Sequence, residues 1–415
     1  MPGEPSGDHR TPGDWQGVGD LVALATERLT APVEGMHNAI ADRWFGIAGP
    51  GAASGRKAYR ALTASIYQSV RFTGSVLGAA VGIGAAIAGS RKRTRPLWHS
   101  GPGRGIQSTV NAVWGDELER RSSNLSIELS LRDSAGEPIR TDPASLSLAY
   151  ADPTPRLAVL LHGLGETERC FQGRAEDEGA TPGMGDILAA DSFTPLLVRY
   201  NTGKHVSDNG VALASLLEET VRSWPVGVEE VVLVGNSMGG LLARSTVHAG
   251  FSAEHRWTGL VGHVVTLGSP HLGAPLEKGA NLIAWALSFV QESRPLSEFI
   301  NQRSAGIKDL RFGAIREADW RGSDPDALWR DLVEDFSLPG AIEQHFITGV
   351  VTTEPRHPVG VLFGDLIVRS GSGIGRGRRR LVEATDVRVL GGRRHFDLLH
   401  DPLVQEQVRA WLRAS

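Results

Sequence analysis

Four runs of the chain are almost continuously apolar: LAVLL at 157–161, TPLLVRY at 194–200, EVVLVG at 230–235 and HVVTLG at 263–268. Short apolar runs rich in branched side chains and bounded by polar turns predict strands covered on both faces. Between them, over Val211 to Trp224 and Gly239 to His248, apolar residues recur at helical spacing. Strand and helix in alternation predict a mostly parallel sheet flanked by helices, with right-handed crossovers, and so the α/β class. Leu125 to Leu131 alternates apolar and polar residues, the pattern of an exposed edge strand. Sheet pattern resumes at HFITGVV (345–351) and DVRVLGG (386–392), and a terminal helix is expected near Asp401-Pro402. The excursion from Leu276 to Leu338 holds helical segments with Trp285, Phe289, Val290 and Phe299, which predicts a helical cap over the C-terminal edge of the sheet.

The first hundred residues follow a different pattern. Residues 1–14 are polar and rich in Pro and Gly, the composition of a disordered tail. From Trp15 to about Gly46, Val18, Leu21, Leu24, Leu29, Val33 and Ile40 predict amphipathic helix broken near Pro32. Arg56 to Gly89 predicts a second helical element, whose uncharged half GSVLGAAVGIGAAIAG (74–89) is short for a bilayer span of about 20 residues. With the RKRTR run at 91–95 it forms a candidate peripheral membrane contact over residues 74–95. PLWHSGPGRG (96–105) has linker composition. The expected organisation is therefore a tail (1–14), a helical accessory region (15–100) and an α/β domain (101–415) with its cap at about 276–338.

Composition narrows the functional classes. A formal charge of −4 excludes the basic signature of a nucleic-acid binder. The one cysteine, Cys170, excludes an intramolecular disulfide and any cluster of sulfur ligands. No phosphate-binding loop and no dinucleotide fingerprint follows a strand, so no cofactor and no metal is expected. MPGEPSGDHRTPGD lacks the basic start and apolar core of a secretory signal, which makes the cytoplasm the expected location, with membrane association through 74–95 as an addition.

Chemistry concentrates around Gly235-Asn236-Ser237-Met238-Gly239, which fits G-x-S-x-G between an apolar strand and a helix. A strand-to-helix turn that tight crowds its neighbours, which is why glycines flank a serine whose Oγ is presented at the helix start. A serine hydroxyl attacks poorly unless a base takes its proton, and in this chain order the acid and then the histidine follow the serine. Of the late histidines, His395 follows DVRVLGG and precedes the terminal helix, and is preferred over His400. Asp365 in LFGDLIV is the preferred acid, with Glu354 second, while Asp397 and Asp401 read as local caps. Two backbone N–H donors must meet the developing oxyanion: Met238 after the serine, and Leu164 in the loop His162-Gly163-Leu164-Gly165. His162, Gly163 and, from GSPHLGAP (268–275), His271 are candidate substrate-binding residues of the site wall.

Together HGLGETE, GNSMGG, TLGSPHLGAP, GDLIV and HFDLL resemble the bacterial α/β-hydrolases related to GPI inositol-deacylase-type lipases and esterases, over roughly residues 120–415. The resemblance implies the α/β-hydrolase fold and a triad of Ser237, Asp365 and His395. It implies ester hydrolysis, of lipid or acyl esters, without a cofactor. Two departures stand out: Asn236 occupies a place where many lipases have His, and the acid segment lacks the Gly and Pro of the DGxVP form. Acyl transfer and amide hydrolysis use the same machinery, and a non-catalytic membrane-associated scaffold is the alternative of a different class.

Overall fold

The computed structural model describes residues 101–173, 182–274, 303–322 and, short stretches aside, 333–413, together with isolated positions between 20 and 68. The tail (1–14), the 74–95 stretch and most of the expected cap lie outside the described residues. Two compact units are formed, one drawn from 1–107, 117–126 and 280–303, the other from 108–116, 127–279 and 304–415. In the first, every described position between 20 and 42 is helical, and Leu24 is buried. Among the described residues no helix is long and apolar enough to cross a membrane.

The second unit is built on one eight-stranded sheet. Its strands are β1 (Ser130–Arg132), β2 (Pro138–Ile139), β3 (Arg156–Leu161), β4 (Thr194–Arg199), β5 (Glu230–Asn236), β6 (Val261–Leu267), β7 (Glu343–Val350) and β8 (Asp386–Gly391). They lie in the order β2-β1-β4-β3-β5-β6-β7-β8, with β1 antiparallel to both neighbours and every pair from β4 to β8 parallel. The described helices are α1 (Gly101–Arg120), α2 (Pro143–Ala149), α3 (Met184–Ala190), α4 (Val206–Ser223), α5 (Met238–Ser252), α6 (Ala305–Asp309), α7 (Ser370–Gly373) and α8 (Pro402–Arg413).

The unbroken apolar runs have a direct cause in this layering. Leu157, Val159 and Leu161 of β3 enter one core with Leu213 and Leu217 of α4 and Leu241 and Val247 of α5. Ala158 and Leu160, pointing the other way, enter a second core with Met184 and Leu188 of α3 and Val404, Val408 and Trp411 of α8. Both faces of the central strands are therefore dry, and a polar residue on either would lose its hydrogen bonds to water.

Three expectations change at their edges. The alternating stretch 125–131 enters the sheet only from Ser130, because the Ile127 amide is taken by the Asn111 side chain at 3.0 Å instead of by a neighbouring strand. The helix expected from Val211 starts at Val206, whose N–H donates to the distant Asp309 Oδ2 at 2.8 Å. Of the expected cap, residues 303–322 hold the short α6, entered through Ser304, and a single 3-10 turn, Glu317–Asp319.

Beneath the loop that follows β3, the guanidinium of Arg199 meets the carboxylate of Glu168, with Nε donating to Oε2 at 2.7 Å and Nη2 to Oε1; the two side chains are 5% and 0% exposed. Burial pushes the Glu168 carboxyl up, and the Arg199 hydrogen bond and charge outweigh it, leaving the group below the ordinary glutamate value. A buried charge stripped of its partner is destabilising by about 3–5 kcal/mol. Arg199→Met is thus expected to lower folding stability by that amount in denaturant titration. Because the folded-state pKa is depressed, the stability Glu168 contributes is complete above its unfolded value of about 4.3 and declines as the pH falls through the folded value. The gap between wild type and Glu168→Gln should close over the same acid range, and a gap that stays constant with pH would contradict the pairing.

Candidate active site

At β3 the chain departs to one side, to β4, and returns past β3 to β5, so the loops after β3 and β5 diverge from a crevice at the C-terminal ends of the strands. Ser237 sits in the second of these loops, between β5 and α5, with φ 52° and ψ −118°. This backbone conformation is sparsely populated for a residue with a side chain and persists only where its surroundings impose it. They do: the Ser237 amide donates to Leu267 O at 2.7 Å, which ties the turn to the end of β6. A Cβ added to Gly235 would lie 2.3 Å from the Gly239 carbonyl carbon, and one added to Gly239 would lie 2.0 Å from Leu161 O. Only glycine lets α5 start this close to β3.

Beyond β8 the chain enters a 3-10 turn, His395–His400, and His395 Nε2 lies 2.9 Å from Ser237 Oγ. Its Nδ1 lies 2.7 Å from Asp365 Oδ2. The other Asp365 oxygen, Oδ1, accepts the amides of Ile367 (3.0 Å) and Val368 (2.8 Å), so the carboxylate is held by its own turn and is 0% exposed. A carboxylate accepting at Nδ1 selects the tautomer that leaves the Nε2 lone pair toward the serine hydroxyl. Glu354, the second candidate acid, is exposed in the turn after β7, and Asp365 is the carboxylate against His395. Asp397 and Asp401 act as caps, accepting the Arg394 amide at 2.9 Å and the Leu403 amide at 2.8 Å.

Across from Ser237 lies the loop 162–166. The Gly163 amide donates to Glu166 Oε2 at 2.8 Å and the Gly165 amide to Thr202 Oγ1 at 3.2 Å, while the Leu164 amide between them is engaged by neither acceptor. Met238 opens α5, so its N–H is one of the first-turn donors for which a helix has no internal acceptor. Glu166 was not singled out from the sequence. The same Oε2 that accepts Gly163 N–H also accepts Asn236 Nδ2 at 2.9 Å, joining the loop after β3 to the residue before Ser237. Asn236 thereby has a part where many lipases carry His. The only advance signal was the first of the two acidic residues in HGLGETE, and its partner Asn236 lies 70 positions away.

The expected substrate contacts of two histidines need correction. His162 is 0% exposed, its Nδ1 2.9 Å from Gly163 O and its ring stacked on Tyr200 at 4.4 Å. His271 is also 0% exposed, its Nε2 3.0 Å from Thr266 Oγ1 and its ring stacked on Phe346 at 4.0 Å. Burial pushes both imidazoles below the ordinary histidine value. Both are packing elements under the site wall and present no surface to a ligand. Gly163, with a Cβ position only 3.2 Å from Ser237 Cβ, remains at the wall itself.

A mostly parallel sheet, a strand-to-helix serine turn at its switch point, and a histidine after the last strand give the protein the α/β-hydrolase fold. Over residues 207–310, about a quarter of the chain, the sequence matches the family model of the PGAP1-like alpha/beta domain. No curated protein matches the sequence. Among solved structures it is similar to the Staphylococcus hyicus lipase (14% identity, 63% of this chain and 96% of that one, TM-score 0.35). A lipase-esterase related protein from Clostridium acetobutylicum shares 12% identity over 68% of this chain and 98% of its own, with a TM-score of 0.33. A Pyrococcus furiosus esterase shares 11% identity over 63% and 82%, with a TM-score of 0.35. The fold assignment rests on the sheet order and the turn, not on these likenesses.

If Glu166 holds the loop 162–166 in register with the serine turn, Glu166→Ala should slow covalent labelling of Ser237 by a fluorophosphonate by roughly tenfold or more, short of the 10²–10³ lost when an oxyanion donor is removed outright. Glu166→Gln keeps an oxygen that accepts both bonds and should label close to the wild-type rate. Equal labelling by wild type and Glu166→Ala would show that the loop holds its place unaided.

Proposed function

We propose that the protein is a serine hydrolase that cleaves carboxylic esters, of the lipid or acyl class, through an acyl-enzyme on Ser237. The observation that carries the proposal is the continuous hydrogen-bonded line from Asp365 Oδ2 through His395 Nδ1 and Nε2 to Ser237 Oγ, with steps of 2.7 and 2.9 Å. Ser237 Oγ attacks the ester carbonyl as His395 Nε2 takes its proton, and Asp365 stabilises the imidazolium that forms. The Leu164 and Met238 amides donate to the tetrahedral oxyanion. His395 then protonates the departing alkoxide, and a water activated by the same nitrogen hydrolyses the acyl-enzyme. No step draws on a cofactor.

Support for an apolar acyl group comes from Phe396, which follows the base directly, stands with its ring edge-on to His395 at 5.4 Å and is 68% exposed. Covering that ring with hydrocarbon would remove its apolar surface from water, which is favourable. The resemblance of the motifs to lipases and esterases points the same way.

Wild type should be labelled by a fluorophosphonate probe and Ser237→Ala should not; equal labelling would sink the assignment, and no labelling of either would favour the scaffold alternative. On a soluble ester, Ser237→Ala and His395→Ala should each lower kcat by roughly 10⁴–10⁶, and the double variant should lose little more, because the residues act as one unit. Asp365→Asn is expected to cost about 10⁴ through loss of the useful tautomer. A larger loss in Glu354→Gln would transfer the acid role to that residue. Across a series of ester chain lengths, Phe396→Ala should depress turnover of long acyl chains more than of acetyl esters.

A further inference from the structure

At the opposite end of the sheet from Ser237, the starts of β6 and β7 bring three metal-ligating side chains together. His263 stands on β6, and Glu343 and His345 stand two residues apart on β7, so all three project from one face of the sheet. His263 Nδ1 lies 3.1 Å from His345 Nε2, Glu343 Oε2 lies 3.2 Å from His345 Nε2, and Glu343 Oε2 lies 3.6 Å from His263 Nδ1. All three donor atoms fall within 4.8 Å of one another. For nitrogen and oxygen ligands at 2.0–2.1 Å from zinc, the edge of the coordination tetrahedron is about 3.3–3.4 Å, and the three separations bracket that length.

An N–H on His345 Nε2 can serve the 3.1 and 3.2 Å edges, but the lone pairs of Glu343 Oε2 and His263 Nδ1 then face each other at 3.6 Å with no proton between them. A cation at the centre accepts all three lone pairs. His345 also has its second nitrogen, Nδ1, buried without a partner, on a ring stacked against Trp411 of α8 at 4.5 Å. The two histidine side chains are 3% and 2% exposed, whereas Glu343 is 53% exposed. A cleft of about 660 Å³ lined by Arg156, Glu230, His263 and Arg413 gives an ion a route to the cluster.

We propose that His263 Nδ1, His345 Nε2 and Glu343 Oε2 bind a divalent transition-metal cation, zinc foremost, with solvent in the fourth position. Two histidines and one carboxylate with an open position is a zinc ligand set, and softer ions that prefer thiolate find none here. The cation joins the first residues of two neighbouring parallel strands and pins them beneath α8. Its place far from the serine turn makes this a clamp on the sheet and no part of the hydrolytic chemistry.

The test uses the full chain stripped of metal with a chelator and titrated with Zn²⁺ against a chromophoric competitor, then with Co²⁺ followed by visible absorption. One equivalent should bind, and Co²⁺ should give the intense bands of a four-coordinate site. Because Glu343 is largely exposed, Glu343→Gln should fold normally by circular dichroism and bind at least 10–100-fold more weakly. His345→Asn should lose the Co²⁺ bands altogether. Weak six-coordinate Co²⁺ bands, or Zn²⁺ affinity unchanged in Glu343→Gln, would overturn the site and leave the cluster as a hydrogen-bonded group of side chains.

Discussion

The turn between β5 and α5 is the constraint from which the rest of the catalytic unit follows. Ser237 is held at φ 52° by a hydrogen bond to the end of β6 and by glycines that let α5 begin against the Leu161 carbonyl. Such a backbone is strained by about 1–3 kcal/mol, and it survives because three strands, β3, β5 and β6, fix the ends of the turn before the turn itself is considered. The dry double-faced sheet is thus the support that keeps one serine in a conformation it would not choose.

The same geometry decides where partners must come from. A hydroxyl raised above the C-terminal ends of β3 and β5 can be approached only by loops that leave the sheet at that end, and among the described residues those that bring Gly163, Asp365 and His395 follow β3, β7 and β8. Each is stiffened locally before it reaches the serine. Glu166 holds Gly163 and Asn236, Asp365 closes its own turn on Ile367 and Val368, and Asp397 caps the turn that carries His395. Beneath the first of these loops the buried Glu168–Arg199 pair and the stacked His162 and Tyr200 form a rigid floor. The two ends of the sheet therefore differ in kind: the C-terminal end holds a line of proton-sharing groups, and the N-terminal end holds the triangle of His263, Glu343 and His345.

Much of the unit was legible along the chain because its signals are local. Strands buried on both faces are mostly apolar, their few polar residues such as Arg199 and His263 being buried with partners, so LAVLL, TPLLVRY, EVVLVG and HVVTLG declared themselves, and each lies within a residue or two of an observed strand. The G-x-S-x-G turn is legible because its pentapeptide lies between an apolar strand and a helix, although the contact that demands Gly239, Leu161 O on β3, is distant in the chain. Where the signal was local but weak, the reading failed at its edges: residues 125–129 alternate like a strand, yet Asn111 takes the amide that a neighbouring strand would have needed.

What the sequence by itself determined is the alternation of strand and helix, the serine turn, and the short set of residues from which an acid and a base had to be drawn. What only the tertiary structure decided is which of those residues meet. Positions 237, 365 and 395 converge because the loops after β5, β7 and β8 all leave the same end of a parallel sheet, and how far each loop reaches across that end leaves no periodic trace. Register alone set His263 beside Glu343, 80 positions later in the chain, and beside His345 on the same strand. Burial alone removed His162 and His271 from the surface, since a histidine in a loop motif looks the same whether its ring faces water or a neighbouring aromatic. Pairwise contacts at long range are made by folding, and a linear pattern records only the faces that must be kept dry.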